Sequence, residues 1–129
     1  MSLRSFEDVV VGDELPAKTV TLTRGNLVNY AGVSGDPNPI HWSDKVAELA
    51  GLRGVVGHGM LSMGVGAGYV TEWLGDPGAV KEYNVRFTSP VYVEADEAAA
   101  IEFNGKIKSL DPESKTAVVA IVAKSEGRK

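Results

Sequence analysis

Apolar positions along this chain recur with two different periods, and the change from one to the other divides it. From Leu15 to Leu22, with β-branched Thr19, Val20 and Thr21, the pattern predicts a first strand. Thr23 is a suitable N-cap, and Leu27, Tyr30 and Ala31 fall at helical spacing behind it. That helix is expected to end near Gly32–Gly35, because Gly35-Asp36-Pro37-Asn38-Pro39 is dense in turn formers. Ser43 caps a short helix over Asp44–Ala50, which Gly51 stops. Met60–Leu74 contains no proline and one charge, Glu72, and its apolar residues occupy every face, so it is expected to be a buried helix. Gly64, Gly66 and Gly68 inside it each cost about 1 kcal/mol relative to alanine, which leads us to expect other backbone packed closely against it.

After Gly75-Asp76-Pro77-Gly78 the period becomes 2. Tyr83, Val85 and Phe87 alternate with Asn84, Arg86 and Thr88, and Ile101, Phe103 and Ile107 alternate with Glu102, Asn104 and Lys106. Asp111-Pro112-Glu113-Ser114 reads as a turn and Thr116–Ala123 as a final strand. Strand, helices, then several strands is an α+β pattern, best satisfied by antiparallel sheet curved around one long central helix.

The chain of 129 residues is read as one domain, 1–129, with no repeat or linker. No stretch approaches the roughly 20 apolar residues of a membrane span, and Met1–Asp8 lacks the apolar run of a signal peptide. The expected compartment is the cytoplasm. A net charge of −4 with scattered lysines and arginines argues against a nucleic-acid partner. The absence of cysteine removes disulfides and thiolate metal sites.

Chemistry concentrates at two places. Asp36 and His41 flank Asn38 on a loop that Pro37 and Pro39 hold extended. A carboxylate beside an imidazole, which titrates near neutral pH, suits general acid–base work on a shared water. Asp36 forming a local Asx-turn and His41 being a satisfied core or surface histidine is the plainer reading of the same residues. Gly57-His58-Gly59 immediately precedes the long helix, so free amides at a helix N-terminus are expected there. An amide such as Gly59 N–H can stabilise developing negative charge, an effect typically worth roughly 3–4 kcal/mol. A simple glycine at the helix start is again the plainer alternative. Asp36, His41 and His58 also make a conceivable three-ligand set, but no His-x-x-x-His pair and no further histidine supports it. No metal or other cofactor is expected.

The run Tyr30-Ala31-Gly32-Val33-Ser34-Gly35-Asp36-Pro37-Asn38-Pro39-Ile40-His41 resembles the signature loop of the MaoC-like, (R)-specific enoyl-thioester hydratases. Gly57-His58-Gly59-Met60-Leu61-Ser62 is similar to that family's oxyanion-hole helix start. Nearly the whole chain, through Tyr69-Val70-Thr71 to Lys108-Ser109-Leu110-Asp111-Pro112-Glu113-Ser114, resembles the beta subunits of actinobacterial (3R)-hydroxyacyl-ACP dehydratases of mycolic acid synthesis.

The resemblance implies a hot-dog fold and a hydro-lyase acting on acyl-ACP or acyl-CoA thioesters. It makes Asp36 and His41 the proton-exchanging pair and Gly59 the carbonyl donor, with Asn38 and Ser62 orienting the pair or its water. The partner it implies is a related hot-dog subunit or a second copy of the chain. It also implies one more strand after the position of Lys129, without which the sheet would expose an unpaired edge, so either this sequence is a fragment or a partner covers that edge.

Two other functions fit parts of the pattern. A non-catalytic acyl-binding subunit would explain an apolar tunnel but not the conjunction of Asp36, His41 and Gly59. A hot-dog thioesterase would carry its carboxylate on the central helix, where Glu72 near the far end is the one candidate.

Overall fold

The computed structural model describes residues 3–129; Met1 and Ser2, part of the N-terminal reading above, lie outside them. The elements in chain order are β1 (Glu14–Leu22), α1 (Arg24–Ser34), α2 (Asp44–Leu49), α3 (Gly59–Leu74), β2 (Ala99–Asp111) and β3 (Thr116–Lys124). The strands form one antiparallel sheet in the order β1-β2-β3. No helix among the described residues is long and apolar enough to cross a membrane.

The period-2 pattern in β2 gives the core its wall. Ile101, Phe103 and Ile107 point inward and are almost fully buried, joining Leu15 and Leu22 of β1, Leu27 of α1 and Tyr69 and Val70 of α3. Pro16 cannot donate to a ladder, and the β1–β2 register slips between Leu15 and Lys18, around it. Tyr69 Oη donates to the Pro16 carbonyl at 2.7 Å, so the bulge becomes an anchor for the helix. Close approach is built in on both sides of that contact. A Cβ on Gly105 of β2 would lie 3.1 Å from Leu15 and 3.3 Å from the Tyr69 ring. A Cβ on Gly66 of α3 would lie 2.6 Å from Tyr83 Oη.

Two expectations need correction. First, α3 is not buried on all faces. Gly66, Tyr69 and Val70 face the sheet, while Met60, Gly64, Gly68 and Glu72, four residues apart, form an exposed stripe. Three strands cover one side of a helix only, and among the described residues nothing lies within 4 Å of a Cβ built at Gly64 or Gly68. Of the three helical glycines, Gly66 alone meets close packing.

Second, Tyr83–Thr88 does not join a ladder. Residues 80–91 pair with no strand among the described residues, and a trough of about 1310 Å³ separates them from β3. The alternation was that of a strand, but β pairing needs an adjacent edge. Beyond β3 the chain makes a tight turn in which Glu126 and Gly127 both have positive φ and Ser125 exchanges two backbone hydrogen bonds with Arg128. That is the geometry of a type I′ hairpin turn. The outer edge of β3 carries no neighbouring strand among the described residues.

Candidate active site

The loop that carries Asp36 is fixed from both ends. The N-terminus of α1 is held by reciprocal bonds between Thr23 and Asn26. Its C-terminus stops at Gly35, whose φ of 73° is open to glycine at little cost. Asp36 N–H then donates to Ser34 Oγ, and the indole N–H of Trp42 donates to the Pro37 carbonyl. Asn38 Oδ1 accepts from Ile40 N–H at 3.2 Å and caps the single 3₁₀ turn Pro39–His41. Asn38 therefore sets the turn that presents His41.

Asp36 makes an Asx-turn and also faces the histidine. Its Oδ1 accepts from Asn38 N–H at 3.3 Å, while its Oδ2 stands 3.8 Å from His41 Nε2. The Asx-turn uses one oxygen of this carboxylate and leaves the other facing the imidazole. His41 is buried, and its Nδ1 lies 2.7 Å from the Val56 carbonyl oxygen. A carbonyl only accepts, so Nδ1 carries the proton and Nε2 keeps its lone pair in the neutral ring.

The Val56 carbonyl is itself positioned by a polar clamp. Asp44 Oδ1 accepts from Val55 N–H at 3.0 Å and from the Arg24 guanidinium at 2.8 Å. These bonds, that from Val55 first and then that from Arg24, hold the Asp44 carboxyl below the usual carboxylate range. Arg24 Nε also reaches the Val93 carbonyl, and Val93 N–H bonds Val55, tying the segment in place.

At the start of α3, the first N–H bonded within the helix is that of Ser62, to the His58 carbonyl at 3.1 Å. The amides of Gly59, Met60 and Leu61 have no helical acceptor, as at any helix N-terminus. Asp36 and Gly59 line one pocket of about 420 Å³, together with Tyr30, Ser34, His58 and Phe87. Ser62 lies one turn further on, at the wall of the large trough, which Gly59 also borders. Ser62 makes no side-chain hydrogen bond to Asp36 or His41 among the described residues.

His58 is the residue whose weight sequence reasoning missed. Its ring stacks on that of His41, with centroids 3.7 Å apart and planes 21° apart, and Tyr30 meets it edge-on at 4.8 Å. Burial pushes the imidazole below its ordinary range and nearby His41 adds to this, against a hydrogen bond to the Asp36 carbonyl that acts the other way. The donor atoms of Asp36, His41 and His58 lie within 4.8 Å of one another. However, nearly parallel stacked rings send their lone pairs side by side, and a metal needs them aimed at one point. Glu72, the helix carboxylate a thioesterase would use, pairs with Lys18 at the far end of α3.

The chain has recognisable relatives among known proteins. Over 80 residues the chain is 36% identical to the 3-hydroxyacyl-thioester dehydratase X of Mycobacterium tuberculosis, covering 62% of this chain and 28% of that protein. Over 106 residues it is 28% identical to the (R)-specific enoyl-CoA hydratase of Rhodospirillum rubrum, covering 81% of this chain and 73% of that one. A solved structure described as a MaoC-like dehydratase superposes with a TM-score of 0.95 at 58% identity. That match covers 98% of this chain but 39% of the other, so this chain spans well under half of two of these relatives. The hot-dog arrangement, antiparallel sheet packed on a central helix, is therefore the fold of this chain. The family model for the MaoC-like domain matches residues 8–125, and the chain belongs to the MaoC-like domain family.

Proposed function

We propose that this chain is a (3R)-specific hydratase/dehydratase subunit that interconverts trans-2-enoyl and (3R)-3-hydroxyacyl thioesters. The observation that carries this reading is the approach of Asp36 Oδ2 to His41 Nε2, 3.8 Å apart, beside a pocket that Asp36 shares with Gly59. One proton held between two such groups leaves one of them a base and the other an acid.

In the hydration direction, a water bound between Asp36 and His41 gives its oxygen to C3 and a proton to the base. The electrons of the C2–C3 double bond move onto the thioester carbonyl oxygen, where Gly59 N–H receives the developing charge. The enolate then takes a proton at C2 from the acidic member and the carbonyl reforms. Dehydration runs the same steps backwards. Which member serves C2 belongs to the coupled pair rather than to either residue. Asn38 holds the turn that carries His41, and Ser62 stands beside Gly59 for the water or the substrate.

The trough beginning at Gly59 and Ser62 is walled by apolar side chains such as Val70, Tyr83 and Ile101, which supports an acyl chain of medium or greater length. The likeness of nearly the whole chain to actinobacterial beta subunits extends the reading to acyl-ACP elongation for mycolic acids. The partner would be a related hot-dog subunit or a second copy, a reading supported by the open β3 edge and the exposed stripe on α3.

The test follows the loss of conjugated absorbance of a medium-chain trans-2-enoyl thioester, on CoA and on carrier protein, with chiral analysis of the product. The chain is assayed alone and with a candidate alpha-type partner. Formation of the (3R)-alcohol is expected. Thiol release from a saturated acyl thioester without hydration would instead identify a thioesterase.

A further inference from the structure

We infer that His58 is the positioning residue of the pair, setting through its ring and its Nε2–H where the Asp36 carboxylate and His41 Nε2 stand relative to each other. This rests on the hydratase reading above and adds to it a residue that acts through its neighbours, Asp36 and His41.

Four observations converge on it. His58 precedes α3 as its N-cap, yet its side chain makes no capping bond, so the ring is not spent on the helix. The side chain reaches across the site instead, where Nε2 lies 3.3 Å from the Asp36 carbonyl oxygen. Since that oxygen only accepts, Nε2 is the protonated nitrogen. One face of the ring stacks on His41, 3.7 Å away, and Tyr30 closes against it edge-on. Finally, His58 is 2% exposed, and its Nδ1 is buried without a hydrogen-bond partner among the described residues.

The last point decides what the residue is for. A buried, unpartnered nitrogen is a cost that a phenylalanine of similar shape would avoid. What imidazole adds over phenylalanine here is the Nε2–H on the Asp36 backbone. What it adds over asparagine or glutamine is the flat face under His41. His58 thus links three parts that lie far apart in sequence: the Asp36 loop, the His41 turn and, through the adjoining peptide, the Gly59 amide. The ionisable groups facing it are Asp36, His41 and Tyr30.

The experiment compares wild type, His58→Phe and His58→Gln by kcat and KM on the enoyl thioester, with crystal structures of wild type and His58→Phe. The phenylalanine variant keeps the stack and loses the donor. It is expected to fold, to let the Asp36 carboxylate drift from His41, and to lose on the order of 100-fold in kcat for about 1 Å of displacement, with KM little changed. Glutamine, which restores a donor, is expected to recover part of that loss. Wild-type kcat in His58→Phe, or an Asp36 that has not moved, would overturn the inference. Failure of both variants to fold would also overturn it, leaving His58 as core alone. If wild type itself turns over no enoyl thioester, the reaction class fails, and the position of Asp36 in the two crystal structures still decides the role of His58.

Discussion

Nδ1 of His41 lies 2.7 Å from the carbonyl oxygen of Val56, and this bond selects the nitrogen that is left open to accept a proton. With Nδ1–H committed to the backbone, the free lone pair is that of Nε2, the nitrogen that faces Asp36. The acceptor is a peptide oxygen on a segment clamped by Asp44 and Arg24, so the orientation depends on chain geometry that no side chain announces.

Replacing His41 by glutamine keeps a polar side chain of comparable reach but removes the exchangeable ring proton. The expected result is a fall in kcat of about 10²–10⁴, the usual weight of a positioned acid or base. Circular dichroism and the oligomeric state should stay as in wild type.

Gly59 offers a direct test of the carbonyl donor. Proline is tolerated at the first position of a helix, where its missing N–H has no partner to lose. The preceding residue must be extended, and His58 already is, at φ −62° and ψ 130°. Gly59→Pro therefore removes the amide hydrogen without breaking α3. Gly59→Ala is its control, because it adds a Cβ about 3.2 Å from the exposed Phe87 ring while keeping the N–H. The proline variant is expected to fall below the alanine variant by about 10²–10³ in kcat. Equal rates in the two would remove Gly59 from the chemistry.

Gly66→Ala should destabilise the fold by about 1–3 kcal/mol, the ordinary cost of overpacking. The new Cβ would lie 2.6 Å from Tyr83 Oη, while the next neighbour, in Phe103, is 3.4 Å away. Adding Tyr83→Phe takes away the clashing atom, and a urea-denaturation double-mutant cycle should show partial relief. At Gly64 and Gly68, where a Cβ meets nothing within 4 Å among the described residues, alanine should be neutral or stabilising in the isolated chain.

The buried His58 gives the protein an acid-sensitive component of stability. Its folded-state pKa is held below the ordinary value of 6.5, chiefly by burial. As pH falls through that ordinary value, the unfolded chain takes up a proton that the folded chain refuses, so stability declines with falling pH. The decline ends once pH has passed below the folded-state pKa. Denaturant midpoints measured from about pH 7.5 to about pH 5 should therefore fall more steeply in wild type than in His58→Phe. Parallel slopes would contradict it.

Much of this was legible in the sequence because local rules agreed with the global fold. Thr23, Gly35, Ser43 and Gly51 end or begin their helices where cap chemistry placed them, and Ile101, Phe103 and Ile107 face inward as their alternation required. The prolines around Asp36 marked a fixed loop, and the fixed loop brings Asp36 to His41. Features that depend on a neighbour far along the chain were not legible. Tyr83, Val85 and Phe87 alternate as a strand should, but pairing depends on an edge that their own sequence does not encode. The glycines of α3 look alike in sequence, and only Gly66 meets the sheet. His58 reads as part of a glycine-flanked helix start, since its stacking on His41 spans 17 positions of the chain, the difference between residues 58 and 41.

The measurement that tests the central claim most directly is hydration of a medium-chain trans-2-enoyl thioester by folded wild type and folded Asp36→Asn, each alone and with the candidate partner subunit. Asparagine retains the size of the side chain and an oxygen for the Asx-turn but cannot take up a proton at that position. Wild type is expected to turn over the substrate in at least one of the two forms, and the variant to show nothing above the uncatalysed rate. Turnover by Asp36→Asn at the wild-type rate, in a protein with the same secondary structure and assembly, would contradict it.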